Sequence, residues 1–167
     1  MKYLLRTTFI LALALIFTSA MSAQKMLPDT EVSTLEGEKV SISKHGKNGK
    51  LTVISFWATW CSPCKKELDA ISEVYEEWDE LYNAELVAIS VDNTRSLAKV
   101  GPMVAQKGWD YQIYLDPNQQ LQNSLNFRVV PQTYIVNEVG EIVYEHTGYV
   151  PGDEFELEEK LEELSKK

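Results

Sequence analysis

Cysteine is scarce in this sequence: only Cys61 and Cys64 occur, with two residues between them. Exported domains that are held together by disulfides usually carry several cysteine pairs spread along the chain, so that class is excluded. A bridge between neighbours this close encloses almost no chain and adds little to folding stability by the loop-entropy argument. Structural zinc needs four ligands, and no second cysteine or histidine pair is present. The pair is therefore better explained by redox chemistry.

Basic residues are also few. Sixteen lysines and arginines stand against 25 aspartates and glutamates, which gives a formal net charge of −9. An acidic protein of this kind is a poor partner for nucleic acid or for anionic membranes. Internal repeats and low-complexity tracts are absent, and a hydrophobic content of 44% is that of an ordinary globular domain.

The first 23 residues have the pattern of an export signal. Lys2 and Arg6 precede an apolar run from Phe9 to Phe17, and small residues follow it. This order is typical of a secretory signal peptide. The uncharged run 7–24 is 18 residues long, just enough for a retained membrane tether, so cleavage and tethering both stay open. No cysteine precedes Cys61, which excludes a lipid-modified anchor, and we expect residues 24–167 to form one domain in the periplasm.

Hydrophobic patterning predicts an α/β fold. Strands alternate with helices, which favours a parallel sheet, and the last two strands form a hairpin that adds an antiparallel edge. The predicted strands are a pair within 31–43, then 51–57, 86–91, 111–115, 133–136 and 142–145. The predicted helices run from the cysteine motif to about Tyr82, from 96 to 107, from the turn at 116–118 to about 126, and from Asp153 onward.

The sequence also makes specific predictions for several side chains outside the cysteine motif. Asp153 is predicted to cap the final helix, with Phe155, Leu157, Leu161 and Leu164 on its inner face. His45, in a polar loop, and His146, at the end of a strand, have no ligand cluster around them and are expected to be structural or solvated. Glu85, at the entry of a strand, is expected to be a solvated edge residue.

The position of the cysteine motif gives its chemistry. It follows the buried strand 51–57 after a short loop and opens a helix, whose free N–H groups and partial positive charge stabilise a thiolate at Cys61. In such motifs the pKa of the first cysteine falls to between about 3.5 and 7.5, from about 8.5 for a free thiol. Cys61 is thus the expected nucleophile. Cys64, one turn further in, is expected to be more buried and to resolve the mixed disulfide.

These residues resemble the thioredoxin superfamily. The segment Phe56-Trp-Ala-Thr-Trp-Cys-Ser-Pro-Cys64 is similar to its active-site motif, and Val130-Pro131-Gln-Thr133 is similar to its proline loop. The resemblance implies a thioredoxin-like fold with a central mixed sheet flanked by helices, and a cis Val130–Pro131 bond packed against the cysteines. The N-terminal strand pair, the extension Lys65-Lys-Glu67 and the segment 109–126, an inserted strand and helix, resemble the exported TlpA/ResA-like branch.

One departure from thioredoxin matters. Thioredoxin has a buried aspartate six residues before its first cysteine, whereas this sequence has Ser55. A helical wheel places Glu67 in the apolar stripe of its helix, one turn below Cys64. Burying a carboxylate there costs free energy, which indicates a function for the group. TlpA/ResA-like members carry an active-site glutamate at the matching position. We therefore weigh proton relay to Cys64 against the alternative that Glu67 snorkels to solvent.

The resemblance implies a thiol–disulfide oxidoreductase that needs no cofactor or metal. Its Cys61–Cys64 pair would act on disulfides of exported proteins as a reductase, in a general role or in cytochrome c maturation, with a membrane thiol donor as its own reductant. Trp60, Val130 and Pro131 are expected to bind the client. Two rivals stay open. One is a copper- or zinc-binding module, although copper-delivery proteins of the superfamily have a wider cysteine spacing and zinc would need a second ligand pair. The other is a peroxidase, for which the sequence lacks the Pro-x-x-x-Thr-x-x-Cys setting.

Overall fold

The structure is a computed structural model that describes residues 25–166. The expected signal or tether at 1–23 lies outside the described residues. Seven strands form one sheet: β1 (Glu31–Ser33), β2 (Lys39–Ser41), β3 (Leu51–Trp57), β4 (Ala84–Ser90), β5 (Gln112–Leu115), β6 (Gln132–Val136) and β7 (Ile142–Thr147). The α-helices are α1 (Ser62–Ser72), α2 (Trp78–Tyr82), α3 (Val100–Lys107), α4 (Gln120–Leu125) and α5 (Asp153–Ser165). No helix in this part of the chain is long and apolar enough to cross a membrane.

The sheet is mixed and has the strand order β2-β1-β5-β4-β3-β6-β7. Strands β3, β4 and β5 are parallel, β6 and β7 are antiparallel additions next to β3, and the β1–β2 pair joins β5 at the other side. Every residue of β3 is buried, as its unbroken apolar run predicts for a central strand. The α/β class, the thioredoxin-like architecture, the N-terminal strand pair and the inserted strand and helix are confirmed.

The long helix predicted after the cysteine motif is interrupted. Helix α1 ends at Ser72, where the Ser72 hydroxyl donates to the carbonyl of Asp69 and competes with the helical backbone. Val74 leaves helical geometry with φ −121°, and a 3₁₀ turn at Tyr75–Glu77 leads into α2. Because a 3₁₀ turn advances by three residues rather than 3.6, the periodicity shifts. A wheel drawn for one continuous helix to Tyr82 would place Leu81 in the same apolar stripe as Glu67, but Leu81 is exposed.

The start of α5 also differs from expectation. Gly152, with φ +109°, is the capping residue, and Asp153 is already the first helical residue. The carboxylate of Asp153 instead turns back and accepts the backbone N–H of Val150 at 2.8 Å. Leu157 and Leu161 are buried as predicted, whereas Phe155 is exposed.

His45 and Glu85 form a buried polar cluster rather than separate solvated groups. The His45 ring, on a 3₁₀ helix at Ile42–Lys47 where a loop was expected, is buried and lies 2.6 Å from Glu85 Oε1 and 3.1 Å from the hydroxyl of Tyr114. Glu85 also accepts a hydrogen bond from Thr52. Burial raises the pKa of Glu85, but the contacts with His45 and Thr52 outweigh it, and the pKa lies below the usual value. His45 is thus structural, one of the two alternatives expected for it. The side chain of Glu85 is 27% exposed and contacts His45, 40 residues away in the sequence, so it is not the simply solvated edge residue that was expected.

Candidate active site

The cysteine motif lies where β3 meets α1. Cys61 is the capping residue of α1, and its sulfur accepts the backbone N–H of Cys64 at 3.3 Å. Pro63 occupies the first turn of the helix, where no backbone donor is required. Cys61 and Cys64 form a disulfide with their Cα atoms 5.4 Å apart. Cys61 is 4% exposed and Cys64 is fully buried, so the order of burial agrees with expectation while the difference is small.

The proline loop packs against this disulfide. The Val130–Pro131 peptide bond is cis, as the resemblance implies. The sulfur of Cys61 lies 3.6 Å from the carbonyl oxygen of Val130, and the carbonyl of Pro131 accepts the N–H of Gly148 at 2.9 Å. Trp60, directly before Cys61, is 67% exposed. The structure thus places Cys61, Val130 and Pro131 together and leaves Trp60 beside them on the surface.

Glu67 lies on α1 one turn after Cys64 and is 4% exposed. Its two carboxylate oxygens accept hydrogen bonds from Ser55 Oγ at 2.9 Å and from Thr133 Oγ1 at 2.8 Å. Burial raises the pKa of Glu67 to about 7, although the bonds from Thr133 and Ser55 act in the opposite direction. The carboxylate does not snorkel to solvent. Ser55, at thioredoxin's aspartate position, holds the carboxylate that α1 supplies instead.

A further buried acid, Asp92, escaped the sequence reasoning. Its carboxylate accepts the backbone N–H of Thr59 at 2.7 Å, the Thr59 hydroxyl at 2.7 Å and the Ser90 hydroxyl at 3.0 Å. Lys65 donates to the carbonyl of Thr59 at 3.0 Å, so the loop before Cys61 is held from both sides. A signal was present: Asp92 follows β4 at the carboxyl edge of a parallel sheet, where functional groups of open α/β sheets gather.

In residues 25–166, no group of three or more histidine, cysteine, aspartate or glutamate side chains is arranged to hold a metal ion. What the described arrangement can do is exchange electrons through the Cys61–Cys64 disulfide, one helical turn from a carboxyl group whose pKa burial raises to about 7.

Comparison with known proteins agrees with this arrangement. Residues 23–145 match the model of the AhpC/TSA family. The chain belongs to the AhpC/TSA family. The sporulation thiol-disulfide oxidoreductase A of Bacillus subtilis is 30% identical over 166 residues, which cover 95% of this chain and 97% of that protein. The thiol-disulfide oxidoreductase ResA of Bacillus anthracis is 28% identical over 128 residues, 77% of this chain and 71% of that protein.

Solved structures give the same result. A thioredoxin-like protein from Porphyromonas gingivalis is 41% identical, with a TM-score of 0.73 and coverage of 84% of this chain and 92% of that chain. StoA from Bacillus subtilis is 27% identical, with a TM-score of 0.64 and coverage of 79% and 98%. The chain is therefore a thiol–disulfide oxidoreductase with a thioredoxin-like fold.

Proposed function

We propose that this oxidoreductase is a reductase of disulfides in exported proteins, with Cys61 as the attacking thiol and Cys64 as the resolving thiol. The observation that carries the proposal is Glu67, a buried carboxyl group whose pKa is raised by burial to about 7, one helical turn below Cys64. A carboxyl group with an ordinary pKa would be a weak base toward a thiol. A pKa near the working pH is the value that suits a general base.

The proposed reaction moves two electrons and balances its protons. The Cys61 thiolate attacks one sulfur of the client disulfide, and the other client sulfur leaves as a thiolate. The Cys64 thiol then gives its proton to the Glu67 carboxylate and attacks Cys61. The bond between Cys61 and the client breaks, the second client thiolate leaves, and the product is the Cys61–Cys64 disulfide seen in the structure.

Client binding is proposed for the surface around the disulfide. Trp60 offers an exposed aromatic side chain beside Cys61. Val130 and Pro131 offer an irregular stretch of backbone next to Cys61, which an extended client could pair with through main-chain hydrogen bonds. Neither interaction requires a particular client side chain, so we expect broad specificity with clients chosen by access to their disulfides.

Export and reducing direction are further parts of the proposal. The signal-like pattern of residues 1–23 supports export to the periplasm, with the domain either released or tethered to the inner membrane. The resemblance to the TlpA/ResA-like branch supports a membrane thiol donor as reductant and clients such as apocytochrome c. The acidic surface supports neither nucleic acid nor anionic membrane as a partner.

The reduction potential of the Cys61–Cys64 couple, measured by equilibration with glutathione, tests the direction. Potentials in this superfamily run from about −270 mV for thioredoxin to about −120 mV for a strong oxidant. A reductase of exported disulfides is expected at the thioredoxin end of that range. A potential near the oxidising end would contradict the reductase assignment and make the protein a donor of disulfides.

A further inference from the structure

A small cavity lies beside Glu67, on the side away from the cysteines' surface. Its volume is about 10 Å³, the least space that holds one water molecule. Its polar wall includes Glu67, Thr133, His146 and Asp153, so a water there would find several hydrogen-bonding partners. The reaction proposed above assigns a role to Glu67 but none to this cavity.

The strand register brings a row of polar side chains to this place. Ser55 on β3 pairs with Thr133 on β6, and Thr133 pairs with His146 on β7. Directly paired residues share one face of a sheet, so the three side chains lie side by side on the face that Glu67 packs against. Since β7 is the edge strand, the row leads from the buried carboxylate toward solvent.

His146 and Asp153 close the outer end of this row. His146 Nε2 lies 3.1 Å from Asp153 Oδ2, and the two side chains are 29% and 16% exposed. Toward the cysteines the situation is different, because Cys64, one turn before Glu67 on α1, is fully buried. The sequence predicts that His146 is structural or solvated, and its position between Glu67 and solvent suits a role in the reaction.

We propose that His146 and Asp153, together with one water in the cavity, carry the proton between Glu67 and bulk solvent. This inference rests on the proposed role of Glu67. When Glu67 has taken the proton of Cys64, the water accepts that proton as it passes one of its own to the His146–Asp153 pair, which releases it to solvent. Glu67 is left as a carboxylate, and no other atom changes its protonation. Neither His146 nor Asp153 touches the cysteines; both act through Glu67.

The charges around Glu67 agree with this route. After burial and the two hydroxyl contacts, His146 lowers the pKa of Glu67 and Asp153 raises it. Burial raises the pKa values of Tyr111, Tyr144 and Tyr149, and the charge of Glu67 adds a smaller increase at each. Glu154 on α5 also lines the cavity. Histidine is the side-chain type best suited to accept and donate protons near neutral pH, and His146 is the histidine in this group.

The test compares the rate of client release from the mixed disulfide in single turnovers between pH 5 and pH 9, in wild type, His146→Gln, Glu67→Gln and the double variant. Glutamine keeps a hydrogen-bonding group for Asp153 but cannot carry a proton. Tyr144→Phe is the matched control, because its ring lines the same cavity while its hydroxyl donates to Glu156. The model client is a peptide with one disulfide, and a second series contains added imidazole as a mobile proton carrier.

We expect His146→Gln to slow release by about 3-fold to 10²-fold at and below pH 7, never more than Glu67→Gln does, since general acid–base help is worth about 10²–10⁴-fold. The loss should fade at alkaline pH, imidazole should restore the rate, and the double variant should match Glu67→Gln alone. Tyr144→Phe should stay within about twofold of wild type.

Three results would overturn the route while leaving the role of Glu67 intact: an unchanged rate in His146→Gln beside a slow Glu67→Gln, losses that multiply in the double variant, or no effect of imidazole. An unchanged rate in Glu67→Gln itself would remove the proton role of Glu67, and the route with it.

Discussion

At the scale of single residues, the site is defined by the element that carries its buried carboxylate. The strand position at which thioredoxin has its aspartate is Ser55 here, and the carboxylate comes from Glu67 on the facing helix. The burial of Glu67 could be predicted from helical periodicity, because the first two turns of α1 are regular. Its bond to Thr133 could not, since Thr133 lies 66 residues further along the chain. Glu85 was misjudged for the same reason, because its partner His45 lies 40 residues away in the sequence.

Glu67 should make the stability of the oxidised protein depend on pH. Its pKa is raised from 4.5 to about 7 in the folded protein, so between these values the native state binds more protons than the unfolded state. Stability therefore falls as pH rises through this window, and the full penalty, roughly 3 kcal/mol, is present above pH 7. Glu67→Gln removes this dependence. The free energy of unfolding by urea at pH 5 and pH 8 measures it.

The matched control for this measurement is Glu80→Gln, because Glu80 is an exposed residue of α2. We expect the difference in the free energy of unfolding between Glu67→Gln and wild type to change in favour of Glu67→Gln as the pH rises from 5 to 8. The difference between Glu80→Gln and wild type should stay constant over the same range. The same pH dependence in wild type and Glu67→Gln would mean that the carboxyl group does not have a raised pKa.

At the scale of elements, boundaries were harder to predict than the elements themselves. All seven strands and the main helices were anticipated from hydrophobic patterning, yet the helix after the motif stops at Ser72 rather than running on to Tyr82. The break depends on a local hydrogen bond from a side chain to the backbone, and hydrophobic periodicity does not detect such a bond. The cap of α5 was displaced to Gly152 for a related reason, since Asp153 is engaged by Val150 and His146.

Asp92, which follows β4, accepts hydrogen bonds from Thr59 in the β3–α1 loop, and these bonds lead to a second prediction. Asp92→Ala leaves three buried donors of Thr59 and Ser90 without a partner, so we expect a loss of about 2–4 kcal/mol in the free energy of unfolding. Thr59→Val removes only one of these bonds and should cost about 1 kcal/mol. Because the loop positions Cys61, client reduction by Asp92→Ala should slow by about tenfold or more.

Urea unfolding and single-turnover client reduction measure these two effects. Thr94→Ala is the control, since Thr94 is exposed in the same loop, and its stability should stay within about 0.5 kcal/mol of wild type. If Asp92→Ala were as stable and as active as Thr94→Ala, the bonds of Asp92 would not hold the loop.

At the scale of the whole molecule, strand order explains how distant segments meet at one site. β3 lies between β4 and β6, so the loop after β3 is flanked by Asp92, which follows β4, and by Pro131, which precedes β6. Alternation of strands and helices predicts the α/β class, but periodicity alone does not say which strands are neighbours. Only the resemblance to the thioredoxin superfamily predicted that Pro131 would lie against the cysteines.

The different roles of the two cysteines are the central claim of this account, and trapping of a mixed disulfide tests them most directly. Cys64→Ala and Cys61→Ala, each reduced, are mixed with a disulfide-containing client and quenched with acid, and the covalent complex is measured by mass spectrometry. Cys64→Ala should accumulate the client on Cys61, because no second thiol is present to release it. Cys61→Ala should accumulate none, because Cys64 is fully buried. Equal trapping by the two variants would contradict the assignment of Cys61 as nucleophile and Cys64 as resolving thiol.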